Sequence, residues 1–219
     1  MSTPTAFVFT DFDDTLARGD SILPYLLYCI RRGLAPRRQF LKATIAFLGW
    51  KLKPSTGRAA KETTLSYIKG RTVAAMDEIA RDFFREVQQK RFFHEAVAEM
   101  QRLREQGARI VVVSASSNVY MRVLPEFLPC DEVICTVCEV KDGAYTGKVG
   151  KNCKGEEKVR RIREWLNVRG LTIDKAASSG YGDSPSDAPM LLLTASPVLV
   201  NPKRKLQKAI PGGRVVRWH

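Results

Sequence analysis

Three aspartates fall within four residues at Asp11-Phe12-Asp13-Asp14, directly behind the apolar run Ala6-Phe7-Val8-Phe9-Thr10. A second acidic pair, Asp183 and Asp187, stands in Gly180-Tyr181-Gly182-Asp183-Ser184-Pro185-Ser186-Asp187. Side chains alternate with period two in an extended chain, so Asp11 and Asp13 lean to the same side of a strand end. If the strand before Asp183 is its neighbour, three or four carboxylates share one cleft. They stay ionised together only around a cation, and an oxygen-only donor set suits Mg²⁺. Candidate metal ligands are therefore Asp11, Asp13, Asp183 and Asp187. Two more features fit anionic, phosphoryl-bearing substrates. Ser114 ends the run Ile110-Val111-Val112-Val113, and its hydroxyl with the following backbone N–H groups, Ala115 first, can hold phosphate oxygens. Lys154 and Lys158 open a basic helix and can neutralise phosphoryl charge.

These residues need elements that place them. Ala6–Thr10 and Arg109–Ser116 read as buried strands. From 20 to 90, leucines, aromatics and arginines recur at helical spacing, interrupted by Gly33, Pro36, Pro54 and Gly70, with no strand pattern. A helix is predicted over 94–106 with Gly107 at its C-cap, and another from about Ser117 to Leu128. Residues 131–149 read as strand, Asp-Gly turn, strand. Lys154–Val168 reads as an amphipathic helix, and 176–184 as a weak strand of small residues. Ser184 and Pro185 begin a helix as N-cap and N1. Pro197-Val198-Leu199-Val200-Asn201 and Arg214-Val215-Val216-Arg217-Trp218 read as final strands. Strand and helix alternate after residue 90, which predicts an α/β fold with a doubly wound parallel sheet and an all-helical insertion after the first strand. In such sheets ligands bind beyond the carboxyl ends of the strands.

The 219 residues carry 36 Lys+Arg against 23 Asp+Glu, a net charge of +13. A surface so basic favours polyanions, anionic lipid or phosphorylated substrates. The start of the chain shows no secretory pattern. Five cysteines without framework spacing point to free thiols and a reducing, cytoplasmic setting. The longest apolar run, Ile22–Ile30, is too short to span a bilayer.

Asp11-Phe12-Asp13-Asp14-Thr15, then Ser114, Lys154/Lys158, and Gly182-Asp183 with Asp187 resemble the four ordered motifs of the haloacid dehalogenase (HAD) superfamily of phosphatases. An insertion between the first two motifs is similar to that superfamily's C1-type cap, and an all-helical one resembles subfamily I-B, which contains phosphoserine phosphatase. The resemblance implies a Rossmann-like core over 1–16 and 91–219 and a cap over 17–90. It also implies a mechanism. Asp11 is the nucleophile that becomes an aspartyl phosphate, and Asp13 the general acid and base. Mg²⁺ is held by the Asp11 carboxylate, the Asp13 carbonyl and Asp183, and Asp187 either supports the metal or orients the lysine. Thr15 and Ser114 bind phosphoryl oxygens. Lys158 and Lys154 each match one version of the third motif, with Lys158 preferred.

The expected activity is Mg²⁺-dependent hydrolysis of a small or lipid-linked phosphate monoester, with phosphoserine as an alternative substrate. A reading of another class is an inactive relative that binds anionic membrane or polyanion. Ser114-Ala115-Ser116 stands where phosphoserine phosphatases carry Ser-Gly-Gly, and Asp20 where they carry a glutamate that contacts the substrate amine. Asp20 also suits a helix N-cap, and Asp14 adds charge where relatives carry a small residue. Arginines and lysines over 29–53 interleave with apolar residues. That pattern suggests a cap resting on anionic membrane at the inner face, with Arg31, Arg32, Arg37, Arg38, Lys51 and Lys53 at headgroups and Phe47 and Trp50 dipping in. No stacking platform or helix-turn-helix pattern argues for nucleic acid.

Overall fold

A computed structural model describes residues 4–219; Met1–Thr3, where the segment expected over 1–16 begins, lie outside the described residues. The first strands are β1 (Pro4–Thr5) and β2 (Phe7–Thr10). Four helices follow, α1 (Ile22–Arg31), α2 (Arg38–Leu52), α3 (Gly57–Leu65) and α4 (Val73–Phe83). A π-helical turn, Phe84–Gln88, leads to α5 (His94–Glu105) and β3 (Arg109–Ser117). Then come α6 (Asn118–Met121), β4 (Glu132–Thr136), β5 (Cys138–Lys141), β6 (Ala144–Val149), α7 (Glu156–Val168) and β7 (Thr172–Ile173). The chain closes with β8 (Ser179–Gly182), α8 (Ala188–Leu191), β9 (Ser196–Val200), α9 (Arg204–Ala209) and β10 (Arg214–Val216).

Six strands form one parallel sheet in the order β10-β9-β8-β2-β3-β4. All four residues of β2 are buried, as a central parallel strand covered on both faces requires. Alternation along β2 divides the core. Phe7 and Phe9 pack with Ile162, Trp165 and Leu166 of α7 and with Leu191 and Leu206. Val8 packs on the opposite face with Ala96 and Met100 of α5 and with residues of the helical insertion. The register aligns Thr10 with Val112 on one side and with Tyr181 on the other. Asp11 and Asp183 therefore emerge just beyond β2 and β8, while Ser114 lies alongside them within the neighbouring β3, which runs on to Ser117.

Three expectations need correction. The helix expected over 117–128 ends at Met121, and a short 3₁₀ turn holding Pro125 follows, because proline cannot donate within a helix. The run 132–141 is two strands rather than one. Residue 137 breaks it, so β4 joins the main sheet while β5 pairs with β6 in a separate hairpin. The pair β1–β7 forms a further two-stranded parallel sheet that periodicity did not reveal. The hairpin turn does have the expected form, with Asp142 at φ 51° and Gly143 at φ 76° supplying two successive left-handed residues. The hairpin then grips the insertion: Gly70 N–H donates to Tyr145 O at 2.8 Å and Tyr145 N–H to Arg71 O at 2.9 Å.

Candidate active site

The ends of β2 and β8 are tied by Asp11 N–H donating to Tyr181 O at 3.0 Å. Gly182 permits the close packing that follows, since a Cβ there would meet the Asp187 Cβ at 2.6 Å. Asp187 closes the 3₁₀ turn Pro185–Asp187, and its Oδ2 accepts from Ser184 N at 3.1 Å and Ser184 Oγ at 2.8 Å. Gly155, at φ 61°, turns the chain into α7 so that Lys158 on its first turn points inward. The Lys158 ammonium, buried, lies 2.8 Å from Asp11 Oδ1 and 2.7 Å from Asp187 Oδ1. Lys154 does not reach this cluster. Its ammonium sits 5.3 Å from the centre of the Trp50 ring, at the wall of the cleft.

Burial raises Asp11 to about 6, although Lys158 opposes the shift. Burial also raises Asp183 to about 7, with Asp11, Asp187 and Asp14 pushing the same way. Burial works against the charged form of Asp187 too, but Lys158 and the Ser184 donors outweigh it and leave the group below the usual carboxylate range. Lys158 is likewise held above its ordinary value, because Asp11 and Asp187 outweigh its burial. One lysine thus stands in a cluster of three buried carboxylates, Asp11, Asp183 and Asp187, which can each offer one oxygen within 4.8 Å of the others. Among the described residues Asp183 has no salt bridge or hydrogen bond, only the opposing charge of Lys203, and the donor set is oxygen only. The residues present fit a hard divalent cation.

Asp13 lies beside this cluster, two residues from Asp11. Ser116 Oγ donates to its Oδ2 at 2.5 Å, and a chain of hydroxyls runs on from Ser116 to Ser21 at 3.0 Å and from Ser21 to Tyr120 at 3.1 Å. Burial raises Asp13 to about 7, helped by the charge of Asp20 and opposed by the Ser116 donor. The remaining expected residues are placed as follows. Thr15 is buried with an unpartnered Oγ1, and Ser114 is buried with its Oγ accepting from Ser116 N at 3.0 Å. The Ala115 carbonyl accepts from Thr136 Oγ1 at 2.6 Å and from Lys61. Asp20 lines the cleft, and its Oδ1 accepts from Ile22 N at 2.8 Å in a local turn before α1, whose N-cap is Ser21 rather than the expected Asp20. Asp14 adopts φ 58° and accepts from Gly19 N at 2.7 Å, so it folds the loop leaving β2. Aspartate is among the few residues that take this conformation cheaply.

The cleft above the carboxylates is walled by Ile22 and Leu23 of α1, Ala43, Phe47 and Trp50 of α2, and Ala60 and Lys61 of α3. Phe47 and Trp50 therefore face the cleft and pack on one another at 5.1 Å, contrary to the expectation that they dip into a membrane. Sequence reasoning also missed Lys61. Its ammonium bonds Ala115 O and, at 2.5 Å, Asn152 Oδ1, and burial lowers it to about 8. Nothing in the sequence marks it, because its partners lie 54 and 91 positions away. Ser116 appeared in the sequence only as part of Ser114-Ala115-Ser116 in place of Ser-Gly-Gly, and its bond to Asp13 was missed. Cys135 and Cys138 are buried free thiols.

Fold and site together define a class: an α/β enzyme whose centre is a carboxylate cluster held by one lysine at the carboxyl end of a parallel sheet. The chain belongs to the haloacid dehalogenase-like hydrolase family, whose family model matches residues 8–192. It is 31% identical to Protein CicA of Caulobacter vibrioides over 84% of this chain and 80% of that protein. It is 27% identical to Phosphoserine phosphatase SerB1 of Mycobacterium tuberculosis over 93% of this chain and 67% of that one. Among solved structures, a protein of unknown function from Bordetella pertussis matches with a TM-score of 0.86 at 25% identity, covering 98% of this chain and 99% of that one. The expectation of a HAD superfamily phosphatase therefore stands.

Proposed function

We propose that this chain is a Mg²⁺-dependent phosphomonoesterase that works through a phosphoryl group carried transiently on Asp11. One observation carries the reading: Lys158 binds only one oxygen of Asp11, at 2.8 Å, in a buried cluster that still has an excess of carboxylate over cation. With Oδ1 fixed by Lys158, Asp11 Oδ2 is the oxygen for in-line attack on phosphorus. As the ester P–O bond breaks, Asp13 gives its proton to the leaving oxygen. Asp13 then takes a proton from water, and that water attacks phosphorus and frees Asp11 and inorganic phosphate. A carboxyl at about 7 suits both halves of this exchange at neutral pH. Asp187 orients Lys158. Thr15 and the Ser114–Ala115 segment serve the phosphoryl oxygens in this reading, with Ala115 the one of the three that lines the cleft. Held by Asp11, Asp183 and the Asp13 carbonyl, a divalent cation supplies charge neutralisation that admits the anionic substrate.

In this reading residues 1–16 and 91–219 form the catalytic core and 17–90 the cap, whose apolar wall excludes bulk water during attack. That wall favours an ester with an apolar portion, small or lipid-linked. A second reading, phosphoserine hydrolysis, is favoured by Asp20 and Lys61, an acid and a base that both line the cleft and suit an amine and a carboxylate. Hydrolysis of p-nitrophenyl phosphate with Mg²⁺ or with chelator, beside an Asp11→Asn variant, tests the class. A panel containing phosphoserine and alkyl phosphates then separates the two substrates. Turnover indifferent to chelator and to the variant contradicts the proposal.

A further inference from the structure

Helix α2 is amphipathic in the wrong sense for a buried helix. It turns Gln39 and Ala43 inward, while Leu41, Ile45, Leu48 and Leu52 are 63%, 61%, 55% and 89% exposed. Their spacing of four, three and four places them on one stripe, about 16 Å long at 1.5 Å per residue. At 100° per residue Arg38 and Lys42 border this stripe on one side and Lys51 on the other. From Ser21 to Lys61 the chain holds nine Lys and Arg and no acid. Arg32 and Arg58 of that set pair with Glu86 and Glu62. Arg37, Arg38, Lys42, Lys51 and Lys53 have no carboxylate partner among the described residues.

We propose that this face of α2 docks on an anionic lipid surface, the leucine stripe entering the headgroup–acyl boundary and the bordering cations meeting lipid phosphates. Charge selects the lipid over a second copy of the chain. A two-fold pairing would set identical cationic borders against each other. The docking helix is also a wall of the cleft: Ala43, Phe47 and Trp50 line the active site from its other side, so one helix width, about 10 Å, separates lipid from substrate. No helix of the described residues is long and apolar enough to cross a membrane, so the contact is peripheral.

Sedimentation of the full chain with vesicles tests this, using phosphatidylcholine alone and a phosphatidylcholine–phosphatidylglycerol mixture at low and high salt. The chain pellets with the mixed vesicles at low salt and is released by high salt. Arg38→Gln, Lys42→Gln and Lys51→Gln each lower the partition coefficient about fivefold. The combined Leu41→Ser, Ile45→Ser, Leu48→Ser, Leu52→Ser variant loses binding with every cation intact, while its circular dichroism and melting stay those of the parent. No pelleting at low salt overturns the proposal, and so does a serine variant that pellets like the parent. Concentration-dependent self-association abolished by the serine variant, without vesicle binding, assigns the face to a second copy and also overturns it.

Discussion

The two sides of the cleft are built on opposite plans. The floor is polar and braced: Asp11, Lys158, Asp187 and Ser184 form a run of contacts of 2.7–3.1 Å, the acids and serine set just after β2 and β8 and the lysine on the first turn of α7. The roof is mostly apolar, made of Ile22, Leu23, Phe47 and Trp50, with Lys61 as its half-buried cation. The contrast teaches a division of labour. A rigid parallel sheet fixes the reacting groups, whereas the helical insertion presents the surface that a leaving group meets. Changes to the floor should therefore act on kcat and changes to the roof on KM.

The largest effect falls on Asp11, the proposed nucleophile. Asp11→Asn should lower kcat by at least about 10⁴-fold at unchanged fold, read by steady-state hydrolysis of p-nitrophenyl phosphate. Lys158→Met comes next, with kcat down about 10²–10³-fold. It leaves two buried carboxylates uncompensated, and thermal unfolding should show a loss of about 3–5 kcal/mol. Lys154→Met should leave kcat within about twofold, since its ammonium lies over Trp50. If Lys154→Met proved the more damaging of the two, the floor as described here would be wrong.

A third prediction concerns pH. Asp183 and Asp13 rise from 3.8 to about 7 in the fold. The folded chain then keeps protons that the unfolded chain has lost, so these groups favour folding below about 4, and that contribution disappears as the pH rises through about 7. Without metal, carboxylate repulsion in the floor is greatest above that range. The rise in melting temperature on adding Mg²⁺ should accordingly be larger at pH 8 than at pH 5. Asp183→Asn should shrink it at pH 8, whereas a roof variant such as Trp50→Ala should not.

The roof should yield smaller changes. Trp50→Ala should raise KM about tenfold for esters with an apolar leaving group, leaving kcat nearly unchanged, about 1.4 kcal/mol of lost burial. Least of all, Asp14→Gly should alter melting little, because glycine also accepts φ 58°, whereas Asp14→Val should cost about 1–2 kcal/mol.

The floor was readable before the fold because strand-end chemistry is local. Asp11 and Ser114 each follow a short apolar run and Asp183 a run of small residues, and a parallel sheet brings such runs side by side. Between Lys158 and Lys154 the motif match favoured Lys158 only slightly, since the two lie one helical turn apart. The positive φ of Gly155, which sends Lys158 inward, has no signature beyond the glycine itself. Asp14 looked like surplus charge and is a loop residue whose left-handed backbone and bond to Gly19 leave no sequence pattern. The roof was the least legible. Helical periodicity showed that α2 is amphipathic but not which face the rest of the molecule covers, and so Phe47 and Trp50 were placed outward and the leucine stripe went unnoticed.

The central claim is that phosphorus passes through Asp11. Rapid mixing of the Mg²⁺-loaded chain with substrate, acid quenching and peptide mass spectrometry test it most directly. One phosphoryl group on the peptide containing Asp11, absent from the Asp11→Asn variant and chased by further incubation, is the predicted result. Phosphoryl on another residue, or turnover with no trapped phosphoryl at any mixing time and undiminished in Asp11→Asn, would contradict it.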